Sequence, residues 1–496
     1  MSKKKKHKAP KKAPIPKKIV ARKRPVMLIA IKFFAICILV TIGLYVSDSK
    51  GIFDPNNKNN HTLKKWDAFY DFTKDHNVDI LLVGNSHLYT GINPKNLSAR
   101  LGVNSFILAS PGTHIGDSYF ALKEALMVTK PTHVIVETYG VKAFNPYNLN
   151  DSQLSDQFKS FSARKDFWIK LMSTPQLFTS ENYGYAWSNT LRNHDFLLTN
   201  YEQIEKNTDS RSRFSRKRGD DELYLGRFVR FTKGIEDSVL QIYEEKGAKV
   251  DGKDYKWNNY TKKYINKIVQ LCEEENIELV FLTLPMYEEH IDNYSVWKKE
   301  LKELIDGSKK PWLNLQTSEY HKMFGPESFE NTYSSNQHMT YNGSMLATHE
   351  LANYIEKKSA GLLPDRSDNK AWRDLYYGEE GFFEHHSPNA NDSKHQIIGK
   401  NIQFENVKVM EIDYVTNKKN KSLIVKISKN QLKNIPDLTK CQLKIMLEFE
   451  VKGNKQPSAV PLQYDRFHTN PEYHIFKINL KPFKLVGMKG GALVCE

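Results

Sequence analysis

Apolar positions fall into three regimes along the chain. From Val26 to Val46 the sequence VMLIAIKFFAICILVTIGLYV is apolar almost without interruption, about the 20 residues needed to cross a hydrocarbon core roughly 30 Å thick. Farther on, short apolar runs alternate with amphipathic stretches. The runs Asp79–Val83 (DILLV), Asn104–Ala109 (NSFILA), HVIVETY around Val134–Val136, Ile277–Leu284 (IELVFLTL) and Trp312–Leu315 are rich in Val, Ile and Leu and end near turn residues. They predict buried parallel strands. Ser118–Val128, Lys262–Glu275 and Ser344–Lys358 have helical spacing. From about His395 strict alternation takes over, in NIQFENVKVMEI, SLIVKIS, QLKIMLEFEV and YHIFKINL, which predicts antiparallel strands packed as a β-sandwich.

Strands alternating with helices imply an α/β fold built on a doubly wound parallel sheet, whose ligands bind outside the carboxyl ends of the strands. Residues from about 145 to 255 interrupt that pattern with Phe158, Phe161, Trp168, Tyr185, Trp187 and the basic run Arg211–Arg218. They read as a helical or irregular insertion, placed to act as a lid or to dock a partner, with the basic run as a solvated loop. The predicted organisation is a basic tail (1–25), a transmembrane helix (26–46), a linker (47–63), the α/β domain (64–375) with its insertion, and a C-terminal β-domain (395–496).

Charge sharpens this picture. The formal net charge is +16, and twelve Lys and Arg with no acid lie between Met1 and Pro25. A basic flank before an apolar span stays in the cytoplasm by the positive-inside rule, so the body is expected outside it, anchored to the cell membrane by a single pass. That placement argues against nucleic acid as a partner. The span exceeds the h-region of a cleaved signal peptide, and the SDSKGIFD that follows offers no small-residue cleavage site. Lys32 lies close enough to the interface to snorkel. The four cysteines show no metal-ligand spacing. A Cys441–Cys495 disulfide and two free thiols there are equally consistent with the sequence.

Candidate chemistry follows the strands. In VDILLVGNSHLY, Ser86 lies two residues after Gly84, at a strand-to-helix turn that projects a hydroxyl above the sheet. The GxSxG of α/β-hydrolases is absent. In SSNQHMTYNGSMLATHELANYI, His338 directly precedes an amphipathic helix that Asn342-Gly343 opens, so a base from far along the chain returns to the same edge. Gly84-Asn85-Ser86-His87 resembles the first block of the SGNH (GDSL-like) hydrolase superfamily, and the His338 segment resembles its last, DxxH. The likeness spans roughly Asp79 to Lys358. With one N-terminal membrane helix, the layout is similar to the envelope polysaccharide acyltransferases of that superfamily, among them the alginate and peptidoglycan O-acetylation proteins and DltD.

The resemblance implies that Ser86 accepts an acyl group, acetyl by that likeness, and passes it to a hydroxyl of a cell-envelope polysaccharide while His338 moves the proton. It implies a multi-pass membrane acyltransferase of the MBOAT class as partner, a C-terminal domain that holds glycan, and no cofactor or metal. It assigns the oxyanion hole to the backbone N–H groups of Ser86 and of Gly112 in ASPGTHIGD. This sequence departs from the pattern twice. Ser335 stands three residues before His338 in place of Asp, leaving Ser335, Asn336, a backbone carbonyl, Glu327 or Glu330 to orient the imidazole. The third block, ETYGVKAFN, has no Asn at the matching offset; Asn145 comes later, and Tyr139 is another donor. His87, His114 and Glu137 also follow strands and are pocket candidates, as are Tyr287 and His290 in LTLPMYEEHIDNY. An esterase that removes acyl groups and a catalytically decayed glycan-binding scaffold are the two alternatives.

Overall fold

The first three apolar runs pair in a register that buries every residue on both faces, and the last two pair beside them with their outer ends less covered. The computed structural model describes residues 23–54, 61–139, 149–208, 225–227, 234–246, 259–287, 294–317, 323–332 and 338–366, isolated positions between them, and the greater part of 394–495. Its parallel sheet contains β1 (Ile80–Gly84), β2 (Ser105–Ala109), β3 (His133–Glu137), β4 (Glu278–Thr283) and β5 (Trp312–Asn314), in the spatial order β2-β1-β3-β4-β5. The five strands match the five predicted runs to within a residue or two, and the α/β class is as expected.

The apolar runs look continuous in the sequence because both faces are covered, but a period of two is hidden in them. Leu81, Phe106, Val134 and Phe281 enter one core, while Leu82, Ile107, Ile135 and Leu282 enter the other. The first core is covered by α2 (His61–Asp75), α5 (Ile115–Ala125), α6 (Asp151–Ala163), α7 (Phe167–Leu177), α13 (Asn259–Glu274) and α14 (Tyr294–Ser308). The second is covered by α3 (Ser86–Gly91), α4 (Pro94–Leu101) and α15 (Tyr341–Ser359), with α12 (Asp237–Lys246) packing on it through partly buried Val239 and Leu240. α2 begins inside the stretch that reads as linker, because Trp66, Phe69 and Phe72 make one apolar stripe that the sheet buries.

Two ion pairs, each with a buried carboxylate, fasten the surrounding elements to this frame. At the amino edge, Asp79 takes both arms of the Arg366 guanidinium at 2.6 Å and also accepts from the Asn104 N–H at 2.8 Å. Beneath the insertion, Arg164 is wholly buried and pairs with Asp117 of α5. Loss of either member of the Arg164–Asp117 pair strands a charge in the interior, at roughly 3–5 kcal/mol. The insertion continues through α8 (Tyr183–Trp187), whose Trp187 indole donates to Thr174 Oγ1 at 2.9 Å.

The chain divides into two units, and all of this belongs to the one formed by residues 58–187 and 214–496. The other unit, residues 1–57 and 188–213, contains α1 (Lys23–Ser49), α9 (Asn189–Arg192), α10 (Phe196–Thr199) and α11 (Tyr201–Thr208). Within α1, Val26–Ser49 is long and apolar enough to cross a membrane. The basic run Arg211–Arg218 lies outside the described residues.

The C-terminal strands β6 (Lys394–Gln403), β7 (Lys408–Thr416), β8 (Lys421–Ser428), β9 (Cys441–Val451), β10 (Asn454–Tyr464), β11 (Tyr473–Leu480) and β12 (Lys484–Cys495) form one antiparallel sheet in the order β12-β9-β10-β11-β8-β7-β6. The sheet rolls until its two ends meet: the β6–β7 turn bonds to β12 through Glu405 N–H to Gly491 O at 3.0 Å and a reciprocal pair between Asn406 and Leu493. Leu443, Ile445 and Leu447 fill the enclosed core at every second position. Cys441 and Cys495 stand opposite each other on β9 and β12 and are disulfide-bonded, which settles the alternative that the sequence leaves open. Among the described residues Cys37 and Cys272 are free. Replacing both bonded cysteines by Ser is expected to cost the C-terminal domain about 2–4 kcal/mol, read as a lower denaturant midpoint; an unchanged midpoint in oxidised protein would show that the bridge is dispensable.

Candidate active site

The strand order reverses between β1 and β3. Connections to β2 run over one face and those to β3 over the other, so a crevice opens at the carboxyl ends of β1 and β3, where ligands of doubly wound sheets bind. Gly84 closes β1 there, and a Cβ on it would lie 2.7 Å from Glu137 Cβ at the end of β3. No other residue fits without moving the strands apart.

Ser86 is the first residue of α3 and is buried. Asn85 makes the turn: its side-chain oxygen accepts from the His87 N–H at 2.9 Å, and its carbonyl accepts from Leu88. Thr90 Oγ1 donates to the Ser86 carbonyl at 2.8 Å, which fixes the first turn of the helix. The His87 ring is buried, stacks on Tyr139 at 3.9 Å between centroids, and lies 5.3 Å from the His338 ring. Tyr139 is held by its own N–H, which donates to Glu137 Oε1 at 2.7 Å. The ends of β1 and β3 and the His338 segment therefore meet around one imidazole.

His338 is placed by backbone pairing. Phe329 and Met339 form an antiparallel bridge, the Glu330 N–H donates to the His338 carbonyl at 3.0 Å, and Thr340 N–H to Ser328 O at 3.0 Å. Residues 330 and 338 thus stand directly opposite each other on a short ribbon. Both side chains are buried, and Glu330 Oε1 approaches His338 Nδ1 at 3.4 Å, within ion-pairing distance. His338 Nε2 is buried and, among the described residues, has no hydrogen-bond partner. An acid at Nδ1 favours the Nδ1–H tautomer and leaves Nε2 as the acceptor, the arrangement a general base needs. Glu330 is the one of the two glutamates in question that faces His338. Glu327 is exposed, and its carbonyl accepts from Thr340 Oγ1 at 2.7 Å.

The remaining candidates divide. Gly112 sits in the turn after β2 with φ +59°, a conformation glycine adopts without strain. Tyr287, after β4, packs on Phe329 at 5.6 Å and so leans on the ribbon that carries His338. His114 caps α5, with its ring 5.7 Å from Tyr260 of α13 and its Nδ1 3.4 Å from the Tyr260 hydroxyl, which ties it to the packing of the helices. Ser335, Asn336, His290 and Asn145 lie outside the described residues. A residue the sequence did not single out is Lys65 of α2, buried, whose ammonium donates to the Ala109 carbonyl at 2.7 Å and lies 3.6 Å above the Tyr89 ring. It brings a cation to the end of β2, just before the Gly112 turn. Among the described residues no group of side chains could hold a metal ion.

Comparison with solved structures returns a two-domain esterase active on acetylated mannans, crystallised with mannopentaose, at 9% identity and TM-score 0.24 over 87% of this chain and 95% of that one. It also returns a gut microbial diltiazem-metabolizing enzyme at 10% identity and TM-score 0.29, over 78% and 70% respectively. No protein-family model matches the chain, and no curated protein does.

Burial pushes the His114 pKa down to about 3, and the charge of Arg164 acts in the same direction. The unfolded imidazole titrates near 6.5. Its contribution to stability is therefore complete above about pH 6.5 and is lost as pH falls toward 3, because only the unfolded chain binds the proton. His114→Gln is expected to flatten the pH dependence of the urea midpoint in that window by up to one proton, about 1.4 kcal/mol per pH unit. An unchanged slope would show that His114 protonates within the fold.

Proposed function

We propose that this chain is a membrane-anchored serine acyl-transfer enzyme of the SGNH type, with Ser86 as nucleophile, His338 as general base and Glu330 as the acid that orients it. The carrying observation is the pairing of Glu330 with His338 Nδ1 while Nε2 stays buried and unpartnered among the described residues. That pairing fills the role left open by Ser335 and weighs against a decayed scaffold.

In the proposed cycle the Ser86 hydroxyl attacks an ester carbonyl as its proton passes to His338 Nε2. Glu330 stabilises the imidazolium that forms. The backbone N–H groups of Ser86 and Gly112 hold the oxyanion of the tetrahedral intermediate. The leaving alcohol takes the proton from His338, and acyl-Ser86 remains. An acceptor hydroxyl then reverses these steps, giving up its proton to His338 and carrying away the acyl group. We read the acceptor as a cell-envelope polysaccharide, the acyl group as acetyl, and the donor side as a multi-pass MBOAT-type membrane partner. The twelve basic residues before the apolar span Val26–Ser49 favour a cytoplasmic N-terminus with the body outside, and the Cys441–Cys495 bridge suits an oxidising compartment.

The test is covalent labelling of the full chain in detergent with a serine-directed fluorophosphonate. Wild type is expected to label, Ser86→Ala and His338→Ala to fail, and Glu330→Gln to label roughly 10²–10⁴-fold more slowly. A folded wild type that never labels would sink the enzyme reading. Incubation with an acetyl ester and an oligosaccharide then separates the acceptors: acetylated sugar supports transfer, and free acetate alone makes the protein an esterase.

A further inference from the structure

We infer that α9–α11 is a membrane-interfacial element, whose outward apolar side chains enter the outer headgroup layer of the bilayer beside the end of α1. This rests on the reading of α1 as a membrane-spanning helix and extends it from one anchoring element to two.

The argument begins with length. Val26–Ser49 has 24 residues, and at 1.5 Å per residue it runs about 36 Å against a hydrocarbon core of about 30 Å. Its last turn, with Ser47 and Asp48, therefore emerges among the headgroups. The start of α9 is bonded to that turn. Thr190 N–H donates to Asp48 Oδ1 at 2.7 Å, the Thr190 hydroxyl meets Asp48 Oδ1 at 2.7 Å and Ser47 Oγ at 2.8 Å, and the Asn193 amide donates to the Phe53 carbonyl at 2.8 Å. Arg192 lies near enough to Asp48 and Asp54 to feel both charges. Polar groups make the attachment, at a depth fixed by α1.

The apolar groups point the other way. Leu198 is 93% exposed and Tyr201 64%, with Leu197 and Leu191 exposed beside them. A globular helix in water turns its leucines inward; here, among the described residues, Ile204 alone is buried, and Leu191, Leu197, Leu198 and Tyr201 stand outward among the exposed polar residues. Leaving a leucine in water forgoes about 1.5–3 kcal/mol, and lipid at the outer interface is the medium that recovers it. Tyrosine has its preferred place at that same level, with its ring among acyl chains and its hydroxyl among headgroups. The pattern is that of an interfacial amphipathic segment.

The experiment uses the full chain reconstituted in phosphatidylcholine–phosphatidylglycerol vesicles. Of the native cysteines Cys272 is buried and Cys441 and Cys495 are bonded, so Cys37→Ser gives a background in which an introduced cysteine takes a bimane label alone. Labels go at Leu198→Cys, at Tyr201→Cys as a second position should the first fail to fold, and at Leu39→Cys within α1. Spin-labelled lipids quench at the headgroup or at the chain centre. The Leu39 label is expected to lose most of its fluorescence to the chain-centre quencher, and the Leu198 and Tyr201 labels to the headgroup quencher, with a blue shift. If Leu39 is quenched while Leu198 and Tyr201 behave like a free bimane–glutathione adduct, α1 remains an anchor and the interfacial element is wrong, as a protein-docking face would have it. If Leu39 is not quenched either, the anchor reading falls and takes this inference with it.

Discussion

The structure turns on β1. It is paired in parallel on both edges, buried on both faces, and flanked by connections that leave over opposite sides of the sheet. A strand so placed cannot be covered at its carboxyl end by either connection, since each departs in its own direction. The contact between Gly84 and Glu137 brings β1 and β3 as close as a backbone permits, and the polar residues beyond them are collected at that one point. Ser86, His87, Tyr139 and, through the ribbon, His338 belong to the same edge for this reason.

On the other side of the crevice the same economy appears in backbone form. The Phe329–Met339 bridge sets Glu330 against His338. On the proposed reading, an acid supplied from across a ribbon takes the place of one supplied from a fixed sequence offset, because the imidazole responds to distance and burial. Lys65 adds a buried cation at the end of β2.

The strands and the long helices were legible in the sequence because buried parallel runs and amphipathic periods survive without tertiary information. Ser86 and His338 could be named as candidates because each sits beside a turn next to a predicted element. Glu330 could be named only as one of several candidates: nothing local to SSNQH announces a bridge between residues 329 and 339. Lys65 gave no signal because a lysine on an amphipathic helix reads as solvated. The pairing of Cys441 with Cys495 needed the β9–β12 register, and the attachment of Thr190 to Ser47 and Asp48 joins segments far apart in the chain with no pattern in common.

The ribbon has a bearing on how such a protein can diversify. Glu330 and His338 are opposed by main-chain hydrogen bonds at its base, and this pairing sets the spacing of carboxylate and imidazole. A separation fixed by backbone pairing is expected to persist when the sequence elsewhere in the chain changes. On the proposed reading, variation around the site and constancy of the acid–imidazole spacing then become separate matters, the first left to side chains and the second held by the main chain.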